Sequence, residues 1–189
     1  MALQTLPEPR KVARDLFALG LARATLWTAL LLLVVLATAF SVLTDLLFPT
    51  DTKMFGPVMS SPITMGLLEA WFMFGLAWGI FAIGRLFGGQ GTLEQAITTV
   101  IWMEFLFLGL QIGTVILSLF APGLALILMM ASMFIFFWVL SHFTAESHGF
   151  QSTGLVFAGI LTFLILAVFA LSFVLVLAGV EPVTLPVAN

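Results

Sequence analysis

Five long apolar runs decide what this chain can fold into. They extend over Thr25 to Leu47, Pro62 to Gly84, Ile97 to Leu119, Gly123 to Leu140 and Thr153 to Val176. A helix needs about 20 apolar residues to cross the hydrocarbon core of a bilayer, and it satisfies its own backbone hydrogen bonds there. The alternation typical of membrane β-strands is missing. The sequence therefore predicts an all-α polytopic membrane protein with five transmembrane helices in one compact bundle.

The composition excludes several classes of protein. The chain is 62% hydrophobic and 8% charged, with a mean hydropathy of +1.23, which is outside the range of soluble domains. Because there is no cysteine, disulfides, thiolate nucleophiles and Cys-based metal sites are excluded. No basic patch supports nucleic-acid binding. We expect no cofactor and no metal site.

Neither a repeat nor a flexible linker divides the chain. We expect an N-terminal cytoplasmic or interfacial segment at 1–24, a five-span membrane domain at 25–176 and a non-cytoplasmic tail at 177–189. The run Leu26 to Leu36, followed by Ala37, Thr38 and Ala39, resembles a signal peptide with its cleavage site. Since the apolar run continues past Ala39, we interpret it as an uncleaved first span.

The basic residues predict the orientation in the membrane. Four of the six lie before the first span, while the loop Phe48 to Ser61 holds only Lys53 and the next loop holds Arg85. The four are Arg10, Lys11, Arg14 and Arg23. The excess of Lys and Arg on cytoplasmic sides predicts a cytoplasmic N-terminus and, after five crossings of a bacterial inner membrane, a periplasmic C-terminus.

The segment from Pro9 to Ala24 has the pattern of an amphipathic helix. Val12, Leu16, Phe17 and Leu19 would face lipid, and the four basic residues before the first span would contact anionic headgroups. The alternative is a solvated helical lead-in to the first span.

The sequence "RLFGGQGTLEQA", Arg85 to Ala96, is the longest hydrophilic stretch in the middle of the chain. Its glycine spacing, the missing Lys-Ser or Lys-Thr pair and the missing strand exclude a nucleotide-binding loop. It fits a turn between the second and third spans. Gly88 would end one helix in the left-handed conformation and Arg85 would face its negative end, while Thr92 and Gln95 would form a capping box with Glu94 in the first turn. Gly89 and Gly91 would allow the close approach of another group.

Two carboxylates lie inside the predicted spans, at Glu69 and Glu104. Glu104, Gln111 and Ser118 recur every seven residues and would form one polar stripe facing the bundle. At about 1.5 Å per residue, Glu104 lies roughly 10 Å from the cytoplasmic end of its helix and Glu69 about as far from the opposite end of its own. Gln111 then lies at the depth of Glu69, which predicts that these two side chains pair.

The intramembrane acids support two interpretations. They could form a proton or cation pathway, or each could stay protonated, because desolvation disfavours its charged form, and donate an interhelical hydrogen bond. We favour the second because the spans contain no Lys or Arg and no signal of an unwound helix.

Two further groups of residues have a spacing that suggests a role. Gly75, Gly79 and Ala82 form a small-residue face for close helix packing, within the bundle or between copies. His142, Glu146 and His148 could share a metal ion, but Gly149 beside them and the single carboxylate favour a solvated interfacial loop.

Two stretches resemble one family of membrane proteins. "LFGGQGTLEQAITTV" (Leu86 to Val100) and "FWVLSHFTAESHGFQSTGLVFAGIL" (Phe137 to Leu161) are similar to the bacterial branch of the Yip family, membrane proteins that interact with Ypt/Rab GTPases. The matching motif residues are Gly88, Gly89, Gly91, Trp138, Glu146, His148 and Gly149. The resemblance implies five spans, a cytoplasmic N-terminus and no enzymatic chemistry. The long N-terminal region with which eukaryotic members engage GTPases is reduced here to residues 1–24, which argues against a Rab-type partner.

These observations lead to three hypotheses about function. The first is a Yip-type protein that organises or shapes the membrane through contacts with lipid and protein. The second is an accessory or assembly subunit of a larger inner-membrane complex, and the third is a small channel or transporter using Glu69 and Glu104. The expected partners are membrane lipids, together with other membrane subunits or further copies of the chain.

Overall fold

A computed structural model describes residues 1–48 and 61–177, and all regular structure in these two ranges is helical. After a 3₁₀ turn at Ala2–Gln4 come α1 (Pro9–Ala18), α2 (Arg23–Leu47), α3 (Pro62–Leu86), α4 (Leu93–Phe120), α5 (Pro122–His148) and α6 (Thr153–Leu177). Helices α2 to α6 are each long and apolar enough to cross a membrane. The five predicted spans are confirmed, whereas most of the loop around Lys53 and the tail from residue 178 lie outside the described residues.

Local sequence explains where the helices begin. Helices α1, α3 and α5 each start with a proline, whose fixed φ suits the first helical position and whose missing N–H is not needed there. Only Ala121 separates α4 from α5, so these helices form an antiparallel hairpin. The helix boundaries differ from prediction at the other end of the hairpin, where α4 begins at Leu93 and α5 continues to His148.

The buried residues concentrate at one end of the bundle. In α3 they lie between Met73 and Gly84, in α4 between Ala96 and Met103 and, apart from Ala125, in α5 between Val139 and His148. Because α3, α4 and α5 run antiparallel in turn, these stretches share one end. We call this end the cap, made of α1, residues 80–101 and residues 139–151.

The length of the helices explains why the core lies in the cap. At about 1.5 Å per residue, the 28 residues of α4 extend roughly 42 Å, well beyond a hydrocarbon core of about 30 Å. Where helices project into water, their apolar side chains must pack against one another. Inside the bilayer, lipid tails solvate such side chains as well as a neighbouring helix does. A dense core outside the hydrocarbon and an open bundle within it are the expected result.

Helix α1 belongs to the cap through its apolar face. Val12, Ala13 and Leu16 are buried in the main core cluster, and the ring of Phe17 meets Phe143 of α5 edge-on at 6.2 Å. The expectation that the face with Val12 and Leu16 contacts lipid is therefore wrong. An amphipathic pattern predicts an apolar neighbour but does not distinguish lipid from a groove on another helix.

Candidate functional site

Helix α3 ends in the glycine-rich stretch by a complete Schellman motif. Gly88 has φ +83°, the amide of Gly89 donates to the carbonyl of Gly84 at 2.8 Å, and the amide of Gly88 donates to Arg85 at 3.0 Å. Both bonds satisfy carbonyls that a helix end otherwise leaves unpaired. The predicted left-handed Gly88 is confirmed, and Arg85 lies in the last turn as expected.

Helix α5 ends in the same way. Gly149 has φ +72°, and the amides of Phe150 and Gly149 donate to Ala145 at 2.8 Å and to Glu146 at 3.3 Å. The solvated interfacial loop expected for His142, Glu146 and His148 is wrong, because all three lie within α5. The glycine-terminated motif lets the helix continue through these polar residues to the edge of the cap.

His148 joins the two helix ends. Its imidazole Nδ1 accepts a hydrogen bond from the amide of Gly91 at 3.1 Å, and its Nε2 is 3.0 Å from the carbonyl of Ile80. Its own carbonyl accepts from the amide of Gln90 at 3.2 Å. Because Nδ1 accepts, Nε2 carries the proton, and this tautomer is neutral. With both ring nitrogens engaged and only 3% of the residue exposed, His148 has no atom left to bind a metal.

Three glycines make room for this imidazole. A Cβ added at Gly84 would lie 2.2 Å from the His148 Nε2, one at Gly89 would lie 2.5 Å from Nδ1, and one at Gly91 would lie 2.7 Å from Cε1. Any side chain at these positions would collide with the ring. The stretch therefore forms a turn and also makes room for the His148 ring. In the sequence, only the cluster of glycines and the separate pair of His148 and Gly149 indicated this contact.

The start of α4 follows the prediction. The hydroxyl of Thr92 accepts from the amide of Gln95 at 3.2 Å, and the side chain of Gln95 accepts from the amide of Thr92 at 3.0 Å. This is the predicted capping box. Glu94 in the first turn pairs with Arg23 of α2, which ties the beginnings of two spans together.

The N-terminal basic residues all have protein partners. Arg10 donates to the carbonyls of Phe150 at 2.7 Å and Gln151 at 3.2 Å, and Arg14 pairs with Glu146 at 2.9 Å. Lys11 pairs with Glu8 at 2.9 Å. The hydrogen bond that Arg14 donates to the Glu146 carboxylate raises the pKa of Arg14, and the one that Lys11 donates to Glu8 raises the pKa of Lys11. Contact of the exposed Lys11 and Arg14 with headgroups stays a prediction.

Two tryptophans hold the segment before α1. The indole N–H of Trp102 on α4 donates to the hydroxyl of Thr5 at 3.1 Å, and that of Trp138 on α5 donates to the carbonyl of Leu6 at 3.2 Å. Thr5 is 1% exposed. Both contacts join residues about a hundred or more positions apart, which a sequence pattern does not indicate.

The intramembrane acids lie along a cleft of about 230 Å³ between α3 and α4. Glu69, Glu104 and Gln111 all line it. The hydrogen bond to Glu69 comes from the hydroxyl of Thr38 on α2, at 3.0 Å, and a Cβ at Gly66 would lie 3.0 Å from that hydroxyl. Gln111 is exposed, and in the described ranges it makes no hydrogen bond with Glu69. The predicted pair is wrong, although both residues face one cleft.

Two other predictions about helix packing fail. Ser118 hydrogen-bonds to Val115 of its own helix at 2.7 Å instead of extending an interhelical stripe. A Cβ at Gly75 or Gly79 would meet nothing within 4 Å, and Ala82 is only half-buried. The small-residue face of Gly75 and Gly79 therefore does not pack within the described bundle. Packing against a second copy stays a prediction.

The model of the Yip1 domain family matches residues 3–174. This range includes the two tryptophan contacts of the N-terminal segment, the whole cap and most of α6. No curated protein and no solved structure matches the chain.

Proposed function

Because the chain belongs to the Yip1 domain family, we propose that it is a non-enzymatic membrane protein that organises and shapes the bilayer through contacts with lipid and protein. The observation that carries this proposal is the unequal packing of its two ends. The cap contains most of the core cluster and one helix more than the rest of the bundle. Such a protein occupies a larger area in the headgroup layer on the side of the cap than in the one on the other side.

The rest of the bundle supports the same function. Helix α6 packs mainly on α5, and all its residues from Thr162 to Ala170 are exposed. In a bilayer this surface contacts lipid or another membrane protein. The larger cross-section at the cap favours a membrane that curves with the cap on its convex side.

The proposal includes an orientation. The contact of Arg14 with Glu146 and that of Gln90 with His148 bring the N-terminus and the loops after α3 and α5 to one side. Five of the six basic residues lie on this side, so the excess of Lys and Arg in cytoplasmic segments supports a cytoplasmic cap. The C-terminus would then face the periplasm of a bacterial inner membrane.

Reconstitution tests the shaping function. Purified protein is incorporated into large liposomes at increasing protein-to-lipid ratios, and cryo-electron microscopy measures vesicle diameter. We expect smaller or tubular vesicles as the ratio rises, with the cap labelled on the convex face. Vesicles that keep the diameter of protein-free controls at the highest ratio would contradict the proposal.

A second candidate function is a proton or cation pathway, favoured by the shared cleft of Glu69, Glu104 and Gln111. Flux is measured in proteoliposomes with a pH-sensitive dye under a potassium diffusion potential. The pathway requires flux in the wild type that falls in Glu69→Gln and Glu104→Gln but not in the control Ser118→Ala. Absent flux, or flux indifferent to both acidic substitutions, rejects it.

A role as an accessory subunit is the third candidate, and the exposed surface of α6 supports it. Affinity purification in a mild detergent, followed by native mass spectrometry, gives the composition of the particle. A stoichiometric second protein would favour this role, whereas a particle made only of this chain would favour the shaping function.

A further inference from the structure

Hydrogen bonds from two spanning helices hold the segment before α1 at a defined position along these helices. Trp102 is the tenth residue of α4, and Trp138 lies ten residues before the last residue of α5. At about 1.5 Å per residue, both indoles lie roughly 14–15 Å from the cap ends of their helices. The hydrogen bonds from these indoles hold Thr5 and Leu6 near this depth.

This depth coincides with the edge of the hydrocarbon core. From Trp102 to the end of α4 there are 19 residues, and from the start of α5 to Trp138 there are 17, which correspond to about 25–29 Å. A hydrocarbon core is about 30 Å thick. Towards the cap, the α5 sequence from Val139 becomes "VLSHFTAESH", too polar for hydrocarbon. Tryptophan is enriched where hydrocarbon meets headgroups, so the two indoles mark that boundary.

Two leucines of the segment point away from the protein at this boundary. Leu3, in the 3₁₀ turn, is 92% exposed and Leu6 is 47% exposed, whereas Thr5 between them is buried. Residues 2–7 carry no charged side chain, and the first charged side chain in the sequence is that of Glu8. Hydrocarbon accepts such a surface readily, while water does not.

We propose that residues 2–6 form a shallow lipid anchor, with Leu3 and Leu6 inserted among the acyl chains of the leaflet next to the cap. Trp102 and Trp138 set its depth by holding the backbone and Thr5. The anchor rests on the proposed shaping function and makes it more specific. It names the residues that contact lipid and the leaflet whose area they increase.

Fluorescence quenching measures where residue 3 lies. Because the chain has no cysteine, Leu3→Cys carries a single environment-sensitive fluorophore in proteoliposomes of phosphatidylcholine and phosphatidylglycerol. Lys11→Cys, on the exposed face of α1, is the matched control. We expect blue-shifted emission at position 3, quenching by a nitroxide near the top of the acyl chain, and little quenching by iodide. Position 11 should show the reverse.

Two results would overturn the anchor. Iodide could quench position 3 as strongly as position 11, which would place the segment in water. Position 3 could also be protected from both quenchers, which would place it against a second copy of the chain. Vesicle diameter in the same samples tests the shaping function separately. A lipid-embedded label in vesicles of unchanged size would support the anchor and contradict the shaping function. A water-exposed label in reshaped vesicles would support the shaping function and contradict the anchor.

The role of the tryptophan is tested with the same label. Trp102→Phe keeps an aromatic ring but removes the N–H that donates to Thr5. We expect iodide quenching at position 3 to rise towards that at position 11. Trp71→Phe, at an exposed position of α3, is the control and should leave quenching unchanged. Unchanged quenching in Trp102→Phe as well would show that the indole does not set the depth.

Discussion

At the scale of single residues, the position of His148 depends on atoms that are missing from its neighbours. Gly84, Gly89 and Gly91 leave the volume that its imidazole fills, and Gly91 and Ile80 supply the two hydrogen bonds of its ring. A substitution at one of these glycines therefore acts on a residue far away in the sequence.

Gly84→Ala should destabilise the protein. The new Cβ would lie 2.2 Å from the His148 ring, and overpacking of this kind costs about 1–3 kcal/mol. Gly79→Ala on the same helix is the control, because its Cβ meets open space and alanine favours a helix over glycine by up to about 1 kcal/mol. Thermal unfolding in detergent should show a lower Tm only for Gly84→Ala.

A double-variant cycle identifies the cause. If the collision with the ring is responsible, Gly84→Ala should cost less in a His148→Ala background than in the wild type. An equal loss in both backgrounds would show that His148 is not the group displaced.

Thr38→Val should destabilise the protein slightly. It removes the hydroxyl that donates to Glu69 across α2 and α3, and interhelical hydrogen bonds in membranes average about 0.6 kcal/mol with a maximum near 1.7. Thr28→Val is the control, because the hydroxyl of Thr28 bonds only within α2, to Ala24. Unfolding by sodium dodecyl sulfate in a bilayer mimetic measures the stability of both variants. Equal stabilities of Thr38→Val and Thr28→Val would contradict a stabilising hydrogen bond from Thr38 to Glu69.

Local chemistry made some of these residues predictable. Gly88 and the pair of Thr92 and Gln95 were predicted because the bonds that end and begin helices join residues at most five positions apart. The hydrogen bonds of His148 with Gly91 and of Thr38 with Glu69 were not predicted, because these partners lie 57 and 31 positions away. No single-sequence periodicity carries that information.

At the scale of elements, α1 shows what an amphipathic pattern leaves open. The pattern correctly predicted a helix within Pro9 to Ala24, but it did not predict α5 as the neighbour of its apolar face. The ion pair of Arg14 with Glu146 adds little to this attachment, since Arg14 is largely exposed and solvent screens such pairs. The buried Val12, Ala13 and Leu16 hold the helix.

Ala13→Asp should release α1 from the cap. It places an unpaired carboxylate at a fully buried position, which costs several kcal/mol in a site without a partner. Limited trypsin digestion should then cleave after Arg10, Lys11 and Arg14 much faster than in the wild type, where α1 is docked. The control Asp15→Asn, at an exposed position, should be cleaved at the wild-type rate. Equal rates in Ala13→Asp would contradict the docking of α1.

At the scale of the whole molecule, hydropathy predicted the five crossings because a single segment can satisfy its backbone hydrogen bonds in hydrocarbon only as a helix. The cap was not predicted. The parts of α4 and α5 that belong to the cap are too polar to be recognised as membrane spans. Their polarity predicts loops, but in the structure they are buried helical turns. Long-range contacts among these two helices, α1 and α3 create the core there.

Cysteine labelling tests the arrangement of the crossings. Single cysteines at Lys11, Gln90 and Gln151, all exposed positions, should react with a membrane-impermeant maleimide from the same side. A cysteine in the tail beyond residue 178, outside the described residues, should react only from the opposite side. Reaction of positions 11 and 90 from different sides would contradict both the cap and the number of crossings.

The concentration of the core at the cap has a mechanical consequence. Membranes differ in thickness by several ångströms, and a spanning helix adapts by changing its tilt. In a bundle packed tightly along its full length, one helix cannot tilt without disturbing the others. Here the halves of α3 to α6 that are remote from His148 bury few side chains. They can therefore change their tilt, with α4 and α5 moving together as a hairpin, while the protein keeps one rigid end in bilayers of different thickness.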